Sequence, residues 1–145
     1  VASREHSPIP RRSRTGTLFR IARDYAALKV PWLSEVKPVF CTLADVYHKQ
    51  KWRYFAHSGH LGVYTVCFTE ASDDELTDGE VLGISAHELG HIVAIQARFP
   101  EHEFHLTWHP HVEEEANRIA RRVLGFRGLK YNLRTLEEIK LKLKP

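Results

Sequence analysis

The residues with the clearest chemical potential in this 145-residue chain are His87 and His91, four apart with Glu88 beside the first, in the run His87-Glu88-Leu89-Gly90-His91. On an α-helix four residues rise about 6 Å and turn a little over one revolution, so the two imidazoles project from one face as neighbours. Two ring nitrogens placed this way can meet one zinc ion at about 2.0–2.1 Å. Glu88 then stands beside the ligands rather than among them. From there its carboxylate can take a proton from a zinc-bound water and later deliver one to a leaving amine. A catalytic zinc also needs a third protein ligand and a fourth position open to water.

The candidates for the third ligand are His102, His105, His109, His111 and the run Glu113-Glu114-Glu115. No histidine follows at the spacing HEXXHxxGxxH, because positions 94 and 97, where that pattern has glycine and histidine, are both alanine. A helical wheel separates the glutamates. Val112, Ala116, Ile119, Ala120, Val123 and Leu124 define a core face, and at about 100° per residue Glu113 and Asn117 fall on its edge. Glu115 lies near the opposite edge, and Glu114 groups with Arg118, Arg121 and Arg122 on the solvated face. Glu113 is therefore the expected ligand. Asn117, one turn on, can accept a hydrogen bond from the distal ring N–H of a ligating histidine. Glu114 and Glu115 need no more than a favourable place at the helix N-terminus. His111 and Tyr131 are candidates to stabilise an oxyanion, or to act as a self-inhibitory ligand at the fourth position.

Stepping outward from the site, Thr77-Asp78-Gly79-Glu80 fits a capping box, and a helix of about twenty residues is expected to run from it to Arg98, stopped by Pro100. It is apolar nearly all round, as a central buried helix is. A titratable trio in its middle would cost several kcal/mol if buried without partners, a cost that metal ligation offsets. A second helix is expected over residues 111–124 with Gly125 ending it, and a short basic one over 134–143. Upstream, Pro, Ser and Arg without periodicity suggest a flexible basic arm over residues 1–15. Thr17 is placed to cap a helix over residues 18–29 that Pro31 would end. Three strands follow, Val36–Leu43, Trp52–His57 and Leu61–Thr69, with a turn at Ser58-Gly59 and an acidic loop over 70–76. The expected fold class is α+β, a small antiparallel or mixed sheet of about three strands, in a meander, packed on the central helix with flanking N- and C-terminal helices. Residues 16–145 are expected to form a single domain.

The run His87-Glu88-Leu89-Gly90-His91, followed by Glu113-Glu114-Glu115-Ala116-Asn117-Arg118-Ile119-Ala120, resembles the gluzincin metallopeptidases, in particular the ImmA/IrrE type and the minigluzincins. The resemblance covers roughly residues 60–125. It implies that Glu113 completes a site for one catalytic Zn2+ with His87 and His91, and that Asn117 supports it. It also implies that the strand before the motif helix, Gly62, Val63, Tyr64, Thr65, Val66 and onward to Phe68, receives an extended substrate as a further strand. A latent state in the isolated protein fits the same likeness. Repressor cleavage would be analogy alone, because the chain shows neither a helix-turn-helix nor room for one.

Composition narrows the alternatives. Hydrophobic content of 43% and charged content of 27% are ordinary globular values. No apolar run approaches the ~18 residues that span a bilayer, and residues 1–14 lack a signal-type apolar core, so a cytoplasmic protein without membrane contact is expected. Cys41 and Cys67 lack metal-site spacing and are expected as reduced thiols. The formal charge of +3 resides in residues 1–15, while residues 16–145 balance 17 basic against 17 acidic groups. A basic tail suits loose nucleic-acid contact, but a solvated flexible terminus accounts for it more simply, so nucleic acid is not the expected partner. Within the remainder, residues 70–115 are acidic and 118–145 basic, which can steer a charged partner. The expected function is zinc-dependent hydrolysis of peptide bonds in a peptide or protein substrate. The alternative is a non-catalytic, metal-stabilised protein-binding or regulatory module.

Overall fold

The computed structural model describes residues 6–41, 56–60, 64–70, 72–97, 110–126 and 133–144. Its fold is α+β. In chain order the elements are β1 (His6–Pro8), α1 (Arg14–Ala27), a 3-10 turn (Pro31–Glu35), β2 (Lys37–Cys41), β3 (Ala56–His60), β4 (Tyr64–Phe68), α2 (Ser72–Glu75), α3 (Asp78–Gln96), α4 (Pro110–Arg122) and α5 (Leu133–Leu143).

The segment expected as a flexible arm is structured from His6 onward. Its first residues pair antiparallel with β2, His6 opposite Cys41 and Pro8 opposite Val39. Ile9 and Ser13 are buried. The cap of α1 is Ser13 rather than Thr17: the Ser13 hydroxyl accepts the Gly16 N–H at 3.1 Å and donates to Asp73 Oδ1 at 2.8 Å. Arg14 anchors the same helix start, with Nη1 2.6 Å from Asp78 Oδ1 and Nη2 donating to the Leu76 and Asp73 carbonyls. The arginines of the basic segment therefore include one that ties α1 to the start of α3. The helix stops at Ala27, ahead of Pro31, which opens the 3-10 turn instead.

Among the described residues the sheet has four strands in the order β1-β2-β4-β3, so it is mixed and is not a meander. β4 runs parallel to β2 and antiparallel to β3, with Thr65 opposite both Lys37 and Gly59. The expected turn at Ser58-Gly59 falls inside β3, whose register brings His60 opposite Tyr64. Thr65, Val66, Cys67 and Phe68 are all buried, which is the signature of an inner strand covered on both faces. Cys67 is buried within β4.

The expected acidic loop contains the short helix α2. The capping box at α3 is formed, with Glu80 N–H to Thr77 Oγ1 at 3.2 Å and Thr77 N–H to Glu80 Oε1 at 3.0 Å. α3 lies against α1, α4, β3 and β4. Val81, Leu82, Ala86, Leu89 and Ile92 on α3 join Phe19, Val66, Phe68, Ala120 and Ile139 in one apolar cluster. Full burial of such side chains is worth about 1.5–3 kcal/mol for each large one, and it offsets the cost of seating polar groups on the same helix. Gly125, with φ of 89°, ends α4, and Phe126 N–H closes back to the Ala120 carbonyl at 3.1 Å. The Tyr25 hydroxyl donates to the Gly125 carbonyl at 2.7 Å, fixing that end of α4 to α1. Among the described residues no helix is long and apolar enough to cross a membrane.

Candidate metal and catalytic site

α3 and α4 pack side by side, and their facing residues form the site. His87 Nε2 and His91 Nε2 are 3.0 Å apart. Glu113 on α4 spans both: Oε2 lies 2.7 Å from His87 Nε2, and Oε1 3.4 Å from His91 Nε2. Ligands tetrahedrally placed at about 2.0–2.1 Å from zinc are about 3.3 Å from one another, so these separations suit one small ion. Among the described residues, the group whose ligand atoms lie within 4.8 Å of one another is His87, His91 and Glu113.

Proton placement gives the cluster its chemical meaning. Asn117 Oδ1 is 2.8 Å from His87 Nδ1, and an amide oxygen can only accept, so Nδ1 carries the proton. The neutral His87 ring then turns a bare Nε2 lone pair toward the Glu113 carboxylate and the His91 ring. Such a convergence of acceptors calls for a cation, either a proton on Nε2 or a metal ion. Burial opposes charging the His87 ring, but the Glu113 hydrogen bond, the Glu88 charge and the Asn117 bond outweigh it and raise its pKa from 6.5 to about 9. Burial likewise pushes the Glu113 carboxyl up, and the two histidine hydrogen bonds more than reverse this, holding it well below its ordinary value.

These directions fix the pH behaviour in the absence of an ion. The raised His87 contributes stability that is complete below about pH 6.5 and fades as pH climbs through about 9. The depressed Glu113 contributes stability that is complete above about pH 4.5 and fades as acid protonates it. A divalent ion bound between these residues would have to displace the proton on His87 Nε2, so its affinity is expected to rise about tenfold per pH unit up to about pH 9. Competition titrations at several pH values check this, and a flat profile would contradict the assignment of the proton to His87.

Glu88 is 7% exposed, and its Oε2 lies 4.0 Å from His87 Nε2, farther than Glu113 and on the buried side. The His87 and Glu113 side chains are 19% and 34% exposed, whereas that of His91 is only 8% exposed, so the cluster opens to solvent on the His87–Glu113 side. Glu114 is exposed and Glu115 half-buried on α4, and neither belongs to the ligand group. His111 is exposed in the first turn of α4 and is also outside that group. Tyr131, Gly62 and Val63, with the loop histidines His102, His105 and His109, lie outside the described residues.

No family model, curated protein or solved structure matches the chain.

One sequence expectation about the site needs correction. Thr65 and Val66 of the expected substrate strand are hydrogen-bonded on both sides, to β2 and to β3, and cannot accept another strand. The cause is the parallel pairing of β2 with β4, which leaves β3 last in the sheet order of the described residues. Sequence reasoning also passed over the close contact between Gly90 on α3 and the Ala116 backbone on α4. A glycine in the interior of a long apolar helix was the available signal.

Proposed function

We propose that the protein is a zinc-dependent endopeptidase. The observation that carries this reading is the convergence of His87 Nε2, His91 Nε2 and both Glu113 oxygens around one point, with Glu88 close by but outside the ligand group. One buried side and one exposed side suit a centre that must both exclude bulk water and admit a substrate. The donor set of two imidazoles and one carboxylate is a catalytic type that leaves a fourth position open, whereas a structural site is closed by four protein ligands.

His87, His91 and Glu113 would hold the ion. Bound there, zinc supplies Lewis acidity that lowers the pKa of a water and polarises a carbonyl. The remaining work belongs to the side chains. Glu88 accepts a proton from the attacking water on a carboxylate oxygen and passes it to the departing amine nitrogen. Asn117 fixes the His87 ring through the Nδ1 proton, so that Nε2 keeps its lone pair toward the ion. An extended substrate would pair with β3, the last strand in the sheet order of the described residues, which lies against α3. Backbone pairing accounts for affinity toward peptides in general, and side-chain pockets would set preference.

Digestion of an unbiased peptide library tests the reading. Zinc-loaded protein is expected to generate new internal cleavage ends that disappear with a zinc chelator and return when zinc is restored. Absence of cleavage with a zinc-loaded site would favour the non-catalytic binding module.

A further inference from the structure

The contact between α3 and α4 has a regular construction. On α3, Gly90 is three residues after His87 and one before His91; on α4, Ala116 is three after Glu113 and one before Asn117. The point where the two backbones touch is therefore flanked on each helix by the residues of the site. A Cβ built at Gly90 would overlap the Ala116 carbonyl oxygen and lie 3.0 Å from its carbon and 3.2 Å from its Cα. The obstacle is helix backbone, which cannot rotate away as a flexible side chain would. Ala116 is fully buried, so parting the two helices here opens a gap in a close-packed contact. Glycine is the less favourable choice inside a helix than alanine, because it adds backbone freedom to the unfolded chain. Its presence at this tight contact needs a compensating gain.

We infer that Gly90 is a positioning residue for the metal site: by omitting a side chain it sets the α3–α4 separation at which Glu113 and Asn117 reach the histidines. This rests on the zinc-site reading for its metal consequences, but the spacing claim itself concerns only this chain's own contacts. Three of them depend on the separation: His87 to Glu113 at 2.7 Å, His91 to Glu113 at 3.4 Å and His87 to Asn117 at 2.8 Å. Moving α4 outward by even a few tenths of an ångström lengthens all three together, and Glu is already the longest carboxylate that position 113 can offer.

The test compares Gly90→Ala with Gly83→Ala, the same substitution at a half-buried glycine earlier in α3. Zn2+ affinity, read by competition with a chromophoric chelator, is expected to weaken about 10- to 100-fold in Gly90→Ala and to stay at the parent level in Gly83→Ala. The visible absorption of bound Co2+ should change in the first variant alone, reporting altered ligation rather than lost stability. Without metal, the proton resonance of His87 Nδ1–H, held by Asn117 in the parent, should be present in Gly83→Ala and lost in Gly90→Ala. Parent-level Zn2+ affinity with a retained ring proton in Gly90→Ala would overturn the inference. Should Gly90→Ala not fold, the parent decides: a Gly90 Hα to Ala116 Hα cross-peak is expected, and its absence overturns the claim. A parent that takes up no Zn2+ while the ring-proton result holds would overturn the metal reading and leave the spacing role standing.

Discussion

Glu88→Gln is expected to bind one Zn2+ per chain as the parent does and to hydrolyse peptides about 10²- to 10⁴-fold more slowly. The expectation rests on where Glu88 sits. It is 7% exposed, neighbours His87 at 4.0 Å and is not one of the three residues that meet ligand spacing. Glutamine has the same shape and fits the same space, so α3 and its ligands should keep their places. What changes is that a neutral amide oxygen is far too weak a base to take a proton from water. Metal analysis combined with turnover on a peptide found by library digestion separates the two functions of the site. Undiminished turnover would remove Glu88 from the mechanism, and loss of zinc would make it a ligand.

Glu113→Gln should act in the opposite way, on metal retention first. In the parent, free zinc at a thousand times its dissociation constant is expected to add about 4 kcal/mol to the folded state. For a chain of this size that is a rise of about 8–16 °C in Tm. A chelator should reverse the shift. Replacing the Glu113 carboxylate removes the anion that faces both imidazoles, at 2.7 Å from His87 and 3.4 Å from His91. Two neutral histidines alone hold zinc far more weakly, so most of the zinc-dependent shift should vanish. Thermal melts of both proteins, with and without zinc, measure it. A full shift in the variant would show that the third ligand lies elsewhere, with the histidines of residues 102–111 the first to examine.

The legible parts of this protein were those with local causes. The spacing of His87 and His91, the Thr77–Glu80 capping box and the glycine end of α4 at Gly125 each follow from interactions within a few residues. The helical wheel placed Glu113 and Asn117 together because both sit at one edge of the apolar stripe on α4, of whose expected members Val123, past the helix end, is exposed. Where the cause is distant, sequence reasoning went astray. Thr17 and Ser13 are equally good caps by type, and only Asp73 and Asp78, some sixty residues on, select Ser13 and hold Arg14. Strand order has no local signature either. The largely apolar run of β4 is compatible with an edge strand packed on a helix or with an inner strand, and its burial on both faces, beside β2 and β3, distinguishes them. That one topological fact moves the expected substrate strand from β4 to β3.

The most direct measurement is X-ray diffraction from zinc-soaked crystals on both sides of the zinc absorption edge. A single anomalous peak is expected about 2.0–2.1 Å from His87 Nε2, His91 Nε2 and a Glu113 oxygen, with the fourth position held by solvent or by a displaceable side chain. No peak among these three residues, or a peak enclosed by four fixed protein ligands, would contradict a catalytic zinc centre in this chain.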